Sequence, residues 1–193
     1  MSNDGSNTKI VVGLGNPGAK YDGTRHNIGF DVLNHLCKTH GASVPRGKFE
    51  GQLASMALET IPVIAVWPLT YMNESGRCVK AVTNFYKVNV QQDLLIVCDD
   101  LSLPTGKLRM RRQGSAGGQK GLGSILRALG TQEIARLRIG IDSPPPAWET
   151  ADYVLGRFTR EQQPVIDQAV AAASEAIVDW CKHDIAYCMN RIN

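Results

Sequence analysis

KIVVGLGNPGAKYDGTRHN, residues 9–27, joins an apolar β-branched run to a glycine-rich loop. Ile10, Val11 and Val12 predict a buried strand, and Gly13, Gly15 and Gly18 have the G-x-G-x-x-G spacing of a dinucleotide fingerprint. That fingerprint needs a helix that starts at the loop, so that its N-terminus faces a pyrophosphate. It also needs an acidic residue about 20 positions on, at the end of a second strand. Neither is present. Pro17 and Gly18 lead into Ala-Lys-Tyr-Asp-Gly-Thr, in which Asp22-Gly23 is a turn dipeptide. Helical spacing of apolar residues begins only near Asn27, and Asp31 falls inside that helix. The glycines shape a bend, and the bend presents Asn16 and His26. An oxidoreductase would require NAD(P) on residues 13–18.

Outward from this stretch, further apolar β-type runs fall at 53–58, 63–67, 94–98 and 137–141. Stretches with helical spacing lie between them: Val32, Leu33 and Leu36; Cys78, Val82 and Phe85; and Leu122, Ile125, Leu126 and Leu129. A last helix is expected over about 161–182, with Ile166, Ala169, Val170, Ala173, Ile177 and Trp180 on one face and Thr159 as N-cap. Strands alternating with helices predict an α/β fold: a single-domain sandwich with a mixed, mostly parallel sheet and helices on both faces. The runs 53–58 and 63–67 read as an antiparallel hairpin, and 108–112, with its basic alternation, as an edge strand. Residues 1–8 read as a frayed polar tail and 9–193 as one domain; an organelle precursor trimmed at that point would look the same.

At 193 residues the chain can bury a sizeable core, and no apolar run approaches a membrane span. Five scattered cysteines without C-x-x-C suit reduced core thiols in a cytosol-like compartment better than a disulfide framework or a zinc site. The formal charge of +3 decides nothing, but KLRMRRQGSAGGQK, residues 107–120, holds five cations and no acid. It is either a charged edge that discourages strand pairing or a rim for phosphates.

GLGNPGAKYDGTRHNIGF resembles the signature of bacterial-type peptidyl-tRNA hydrolases. PLTYMNESG at 68–76, VCDDLSLPTGKLRMR at 97–111, GSAGGQKGL at 114–122 and RLRIGI at 136–141 extend the resemblance, in order, over nearly the whole chain. The implied reaction is hydrolysis of the ester joining a peptide to the terminal ribose of tRNA. Such a site needs a base near pH 7, a group to hold the base, and donors for an oxyanion. An imidazole suits the first role, and in the family the residues matching His26 and Asp99 form the catalytic pair. Asp100 is the rival partner by position.

The resemblance also assigns Asn16 to telling blocked peptidyl-tRNA from free aminoacyl-tRNA, and Asn73 to the neighbourhood of the scissile bond. As plain residues, Asn16 suits a turn with φ > 0 and Asn73 a helix N-cap. Tyr21 and Tyr71 match cleft positions where an adenine could stack; core packing is the alternative. Arg111 and Arg138 match a clamp on the tRNA 5′ phosphate, suited to guanidinium forks. Where the family usually has His-Asn, this chain has Gln119-Lys120. An ammonium cannot accept a hydrogen bond, so Lys120 is expected to hold a phosphate in place of the amide's contact.

No G-x-S-x-G elbow occurs and nothing calls for a metal or cofactor. The expected partner is peptidyl-tRNA, met by a cytoplasmic (or organelle-matrix) monomer. A relative of the same fold that binds RNA in organelle splicing, with catalysis dispensable, is the competing reading.

Overall fold

The computed structural model describes residues 8–193. The tail expected over 1–8 lies, but for its last residue, outside the described residues. Seven strands form one sheet: β1 (Lys9–Gly13), β2 (Arg46–Lys48), β3 (Gly51–Leu58), β4 (Ile61–Pro68), β5 (Leu94–Asp100), β6 (Leu108–Arg111) and β7 (Ala135–Gly140), in the order β2-β3-β4-β1-β5-β7-β6. β4, β1, β5 and β7 run parallel at the centre. β3 is antiparallel to β4 and β6 to β7, which gives the expected hairpin and basic edge strand.

The central strands read as unbroken apolar runs because both faces are covered. Val11, Leu95, Val97 and Leu137 point to a core roofed by α1 (Ile28–Thr39) and α5 (Gln163–Lys182). Their neighbours Ile10, Val12, Leu94 and Ile96 point to the opposite core, roofed by α2 (Ser75–Tyr86) and α3 (Lys120–Leu129). All eight side chains are fully excluded from water. Each such burial stabilises the fold by about 1.5–3 kcal/mol relative to exposure. Two short helices complete the chain, α4 (Thr150–Leu155) and α6 (Ile185–Ile192). No helix among the described residues is long and apolar enough to cross a membrane. The five cysteines are unpaired, four of them buried.

The glycines of the opening loop serve packing. A Cβ on Gly13 would collide with the Gly29 carbonyl, and one on Gly29 with the Leu14 backbone. The start of α1 can therefore lie directly across the end of β1, which carries the bend after β1 over the end of β5. Gly18, at φ 109°, turns the chain away afterwards.

Two local expectations are corrected. Phe85 leaves the α2 stripe: it is 54% exposed and stacks on Phe49 at 5.2 Å with the Lys48 ammonium over its ring. Val79 takes its place in the core. The N-cap of α5 is Gln162, not Thr159. Thr159 closes the turn before it, where its hydroxyl accepts from the Gln162 N–H and the Gln162 side chain accepts from the Thr159 N–H. The sheet also gains β2, three exposed residues with no apolar signal.

Candidate active site

The carboxyl ends of β4, β1, β5 and β7 open on one edge of the sheet. The chain leaves β1 for a partner on one side, β4, and later enters a partner on the other, β5. Open α/β sheets place their ligand clefts at such a reversal. A cavity of about 710 Å³ lies there, lined among others by Asn16, His26, Asn73, Asp99, Gln119 and Arg138, with Val154 and Leu155 of α4 on one wall.

His26 sits on a single 3₁₀ turn, Arg25–Asn27, that leads into α1. The turn is held from both sides. The Arg25 N–H donates to the Gly156 carbonyl and its guanidinium to the Tyr153 carbonyl and the Gln162 side chain, lying over the Tyr153 ring. Asn27 pairs with the backbone of Asn16. So fixed, the imidazole places Nδ1 2.8 Å from Asp99 Oδ2, with His26 9% and Asp99 4% exposed. A carboxylate accepts, so Nδ1 carries the hydrogen and Nε2 is the nitrogen left for the cavity. Asp100 is turned elsewhere: it accepts from the backbone and hydroxyl of Ser102 and pairs with Arg138 at 3.3 Å. Of the two adjacent acids, Asp99 is the one that meets the histidine. Behind them, burial pushes the Cys98 thiol up to about 12 and keeps it protonated.

Asn16 does not adopt a positive φ, so it is not in the left-handed turn conformation that its glycine neighbours suggest. Its Oδ1 accepts from the Met72 N–H at 2.9 Å, which leaves Nδ2 as the end of the amide available to the cavity. Asn73 is not an N-cap: α2 follows Glu74, without a side-chain cap, and Asn73 is an exposed lining residue. Tyr71 lines the cavity and is 61% exposed, which rules out core packing for it. Tyr21 is a correction in the other direction. It ends a separate 3₁₀ turn, with the Lys20 ammonium over its ring, and is not part of the cavity wall.

Lys120 is the first residue of α3, exposed on the cavity wall, with no ion pair among the described residues. Arg138 lines the cavity, while Arg111 lies outside it on the edge strand, opposite Arg136. The two expected clamp residues share a sheet face but are not directly opposed: Arg109 is the register partner of Arg138. Arg136, 1% exposed, donates to the carbonyls of Gly114, Ser115, Gln132 and Ile134, and so pins the loop before α3.

Two contacts that support the site escaped sequence reasoning, those of Asn27 with Asn16 and of Gln119 with Asp99. Asn27 directly follows His26, and Gln119 stands three residues before Leu122, at the N-cap position of a clear helical stripe. Each position was a signal for a local hydrogen bond, but its tertiary partner was not. Among the described residues, no three His, Cys, Asp or Glu side chains gather as metal ligands.

Residues 10–193 match the family model described as peptidyl-tRNA hydrolase. The chain belongs to that family. It is 47% identical over 185 residues to the peptidyl-tRNA hydrolase of Rhodopirellula baltica, covering 96% of this chain and 97% of that one. It is 44% identical over 188 residues to that of Chlorobium luteolum, with the same coverage. A crystal structure of peptidyl-tRNA hydrolase from Acinetobacter baumannii superposes with a TM-score of 0.91 at 33% identity, over 100% of this chain and 97% of that one. An Arabidopsis thaliana 5′-methylthioadenosine nucleosidase, at 8% identity and TM-score 0.54 over 93% and 97% of the two chains, shares the fold alone. Membership of the peptidyl-tRNA hydrolase family makes the chain a hydrolase of the ester bond in peptidyl-tRNA.

Proposed function

We propose that this chain cleaves peptidyl-tRNA, or N-blocked aminoacyl-tRNA, at the ester to the 3′-terminal ribose, with His26 as general base. The supporting observation is the 2.8 Å contact between His26 Nδ1 and Asp99 Oδ2, at a cavity also lined by the uncharged amides of Asn16 and Asn73. Asp99 fixes the imidazole tautomer and stabilises the imidazolium that forms when Nε2 takes a proton from water. The hydroxide equivalent adds to the ester carbonyl. The tetrahedral oxyanion accepts hydrogen bonds from the Asn16 and Asn73 amides. Collapse breaks the bond to the ribose oxygen, which leaves with the proton held on His26 and frees the peptide acid and tRNA.

The remaining assignments follow the chemistry of the rim. Tyr71, half in solvent at the mouth, offers a stacking face to the terminal adenine. Lys120, Arg138 and Arg111 offer cations to phosphates, Arg138 from the cavity and Arg111 from the neighbouring edge. We read the protein as a monomer that acts in the translating cytoplasm, where peptidyl-tRNA arises.

The test is hydrolysis of N-blocked aminoacyl-tRNA by purified protein and by His26→Ala. Loss of a positioned general base costs about 10²–10⁴-fold in turnover, with tRNA affinity nearly intact. Turnover close to that of the unsubstituted protein would sink the assignment, and absence of hydrolysis in both would favour an RNA-binding relative.

A further inference from the structure

The Gln119 carboxamide uses both of its ends. Its Oε1 accepts from the Leu122 N–H at 2.8 Å, which makes it the side-chain cap of α3. Its Nε2 donates to Asp99 Oδ1 at 2.9 Å and lies 3.4 Å from Met72 Sδ. The amide cannot be reversed. Turned over, its oxygen would face a carboxylate oxygen and its N–H groups would face another N–H. The residue is 8% exposed, so water does not substitute freely for either contact.

Asp99 is thereby held at both oxygens, Oδ1 by Gln119 and Oδ2 by His26. Without the Gln119 donor, Oδ1 would be a buried lone acceptor and the carboxylate would be held by the His26 contact alone. The anchor behind Gln119 is itself rigid. Arg136 takes the carbonyls of Gly114 and Ser115, and Arg138 that of Ala116, so the loop that delivers Gln119 is tied to β7 at three successive residues.

We infer that Gln119 is a positioning residue for the reaction: it locks the Asp99 carboxylate so that Oδ2 holds the Nδ1–H tautomer of His26. The inference rests on the reading of His26 as base. The device joins the start of α3 to the base through a chain of three side chains, Gln119, Asp99 and His26.

A helix cap alone would also conserve the Leu122 contact, so the test separates the two roles. Gln119→Asn keeps a good cap, since asparagine is among the favoured N-cap residues, but is one methylene too short to reach Asp99. Gln119→Glu reaches both partners but sets a carboxylate against a carboxylate. Both variants are compared with the parent protein by thermal melting, steady-state hydrolysis of N-blocked aminoacyl-tRNA, and ¹⁵N NMR of the His26 ring in the resting protein. Gln119→Asn is expected to melt within a few degrees of the parent and to lose about tenfold or more in kcat, with KM within about twofold. The Nδ1–H tautomer of His26 should lose population in both variants, while Gln119→Glu retains the cap and loses kcat. Parental kcat in Gln119→Asn, or an unchanged tautomer in both variants, overturns the inference. The NMR readout needs no substrate, so it judges Gln119 separately from the His26→Ala test of the base itself.

Discussion

The side chain of Asn27 pairs with the backbone of Asn16 as an adjacent strand would: Oδ1 accepts from the Asn16 N–H at 2.9 Å and Nδ2 donates to its carbonyl at 3.0 Å. Both residues are buried, Asn27 to 2% exposure. Asn27→Ala would leave a donor and an acceptor unmatched at the bend that presents Asn16. The expected loss is about 2–4 kcal/mol in chemical denaturation, with a fall in turnover beyond what unfolding explains. A loss below about 1 kcal/mol would mean that water replaces the amide.

The two acids at the end of β5 are expected to separate kinetically. Asp99→Asn, which touches His26, should lower kcat by on the order of 10² or more. Asp100→Asn should leave kcat within a few-fold and appear in KM, because its partner is Arg138. Arg138→Ala and Arg111→Ala should raise KM more for tRNA with a 5′ phosphate than for dephosphorylated tRNA. Equal effects on the two substrates would remove the phosphate clamp.

Lys120 stands at the N-terminus of α3, where no acid lies in the first turn. Lys120→Ala should weaken tRNA binding by about 1 kcal/mol or somewhat more and leave turnover little changed. Few cations face the cleft, so the log–log salt slope of binding should be about −2 and should become shallower by about 1 in the variant. An unchanged affinity and slope would make Lys120 a solvated residue.

Asp31 gives the fold a pH dependence unrelated to the site. Burial, then the charges of Asp22 and Asp167, hold its carboxyl at about 6, above the ordinary value of 3.8. The native state therefore keeps a proton that the unfolded chain has released. Stability from this group is full below pH 3.8, falls as pH rises through about 6, and is flat beyond. Asp31→Asn should raise stability at pH 7 by about 2 kcal/mol, allowing for partial exposure, and flatten that part of the curve. A destabilised variant at pH 7 would show that the ionised carboxylate has a native role.

The alternation of strand and helix was legible because each central strand is buried on both faces and each helix on one, which writes period and continuity into residue type. The edge strand β2 and the short α4 and α6 bury little, and so leave little pattern. Phe85 was misplaced because helical spacing marks a face without saying where the covered face ends. The motifs single out His26, Asp99, Asn16 and Asn73, and all four line one cavity. Tyr21 shares the motif with Asn16 and His26 but lies between the turns at Gly18 and Gly23, off the cavity wall. Gln119 and Asn27 act through partners 20 and 11 residues away, and a one-dimensional pattern does not carry those pairings.

With its oxygen committed to the Met72 N–H, Asn16 presents the cleft with hydrogens only. A donor at that point welcomes the carbonyl of an acylated amine and offers nothing to the free ammonium of an aminoacyl-tRNA, which brings only hydrogens of its own. Discrimination between finished and unfinished substrate would then reside in the direction of one amide, set by a backbone group that no side-chain change at Met72 removes except proline. Asn16→Asp reverses the polarity, since both of its oxygens accept. The ratio of kcat/KM for N-blocked over free aminoacyl-tRNA is expected to fall in that variant, and an unaltered ratio would place the discrimination elsewhere in the cleft.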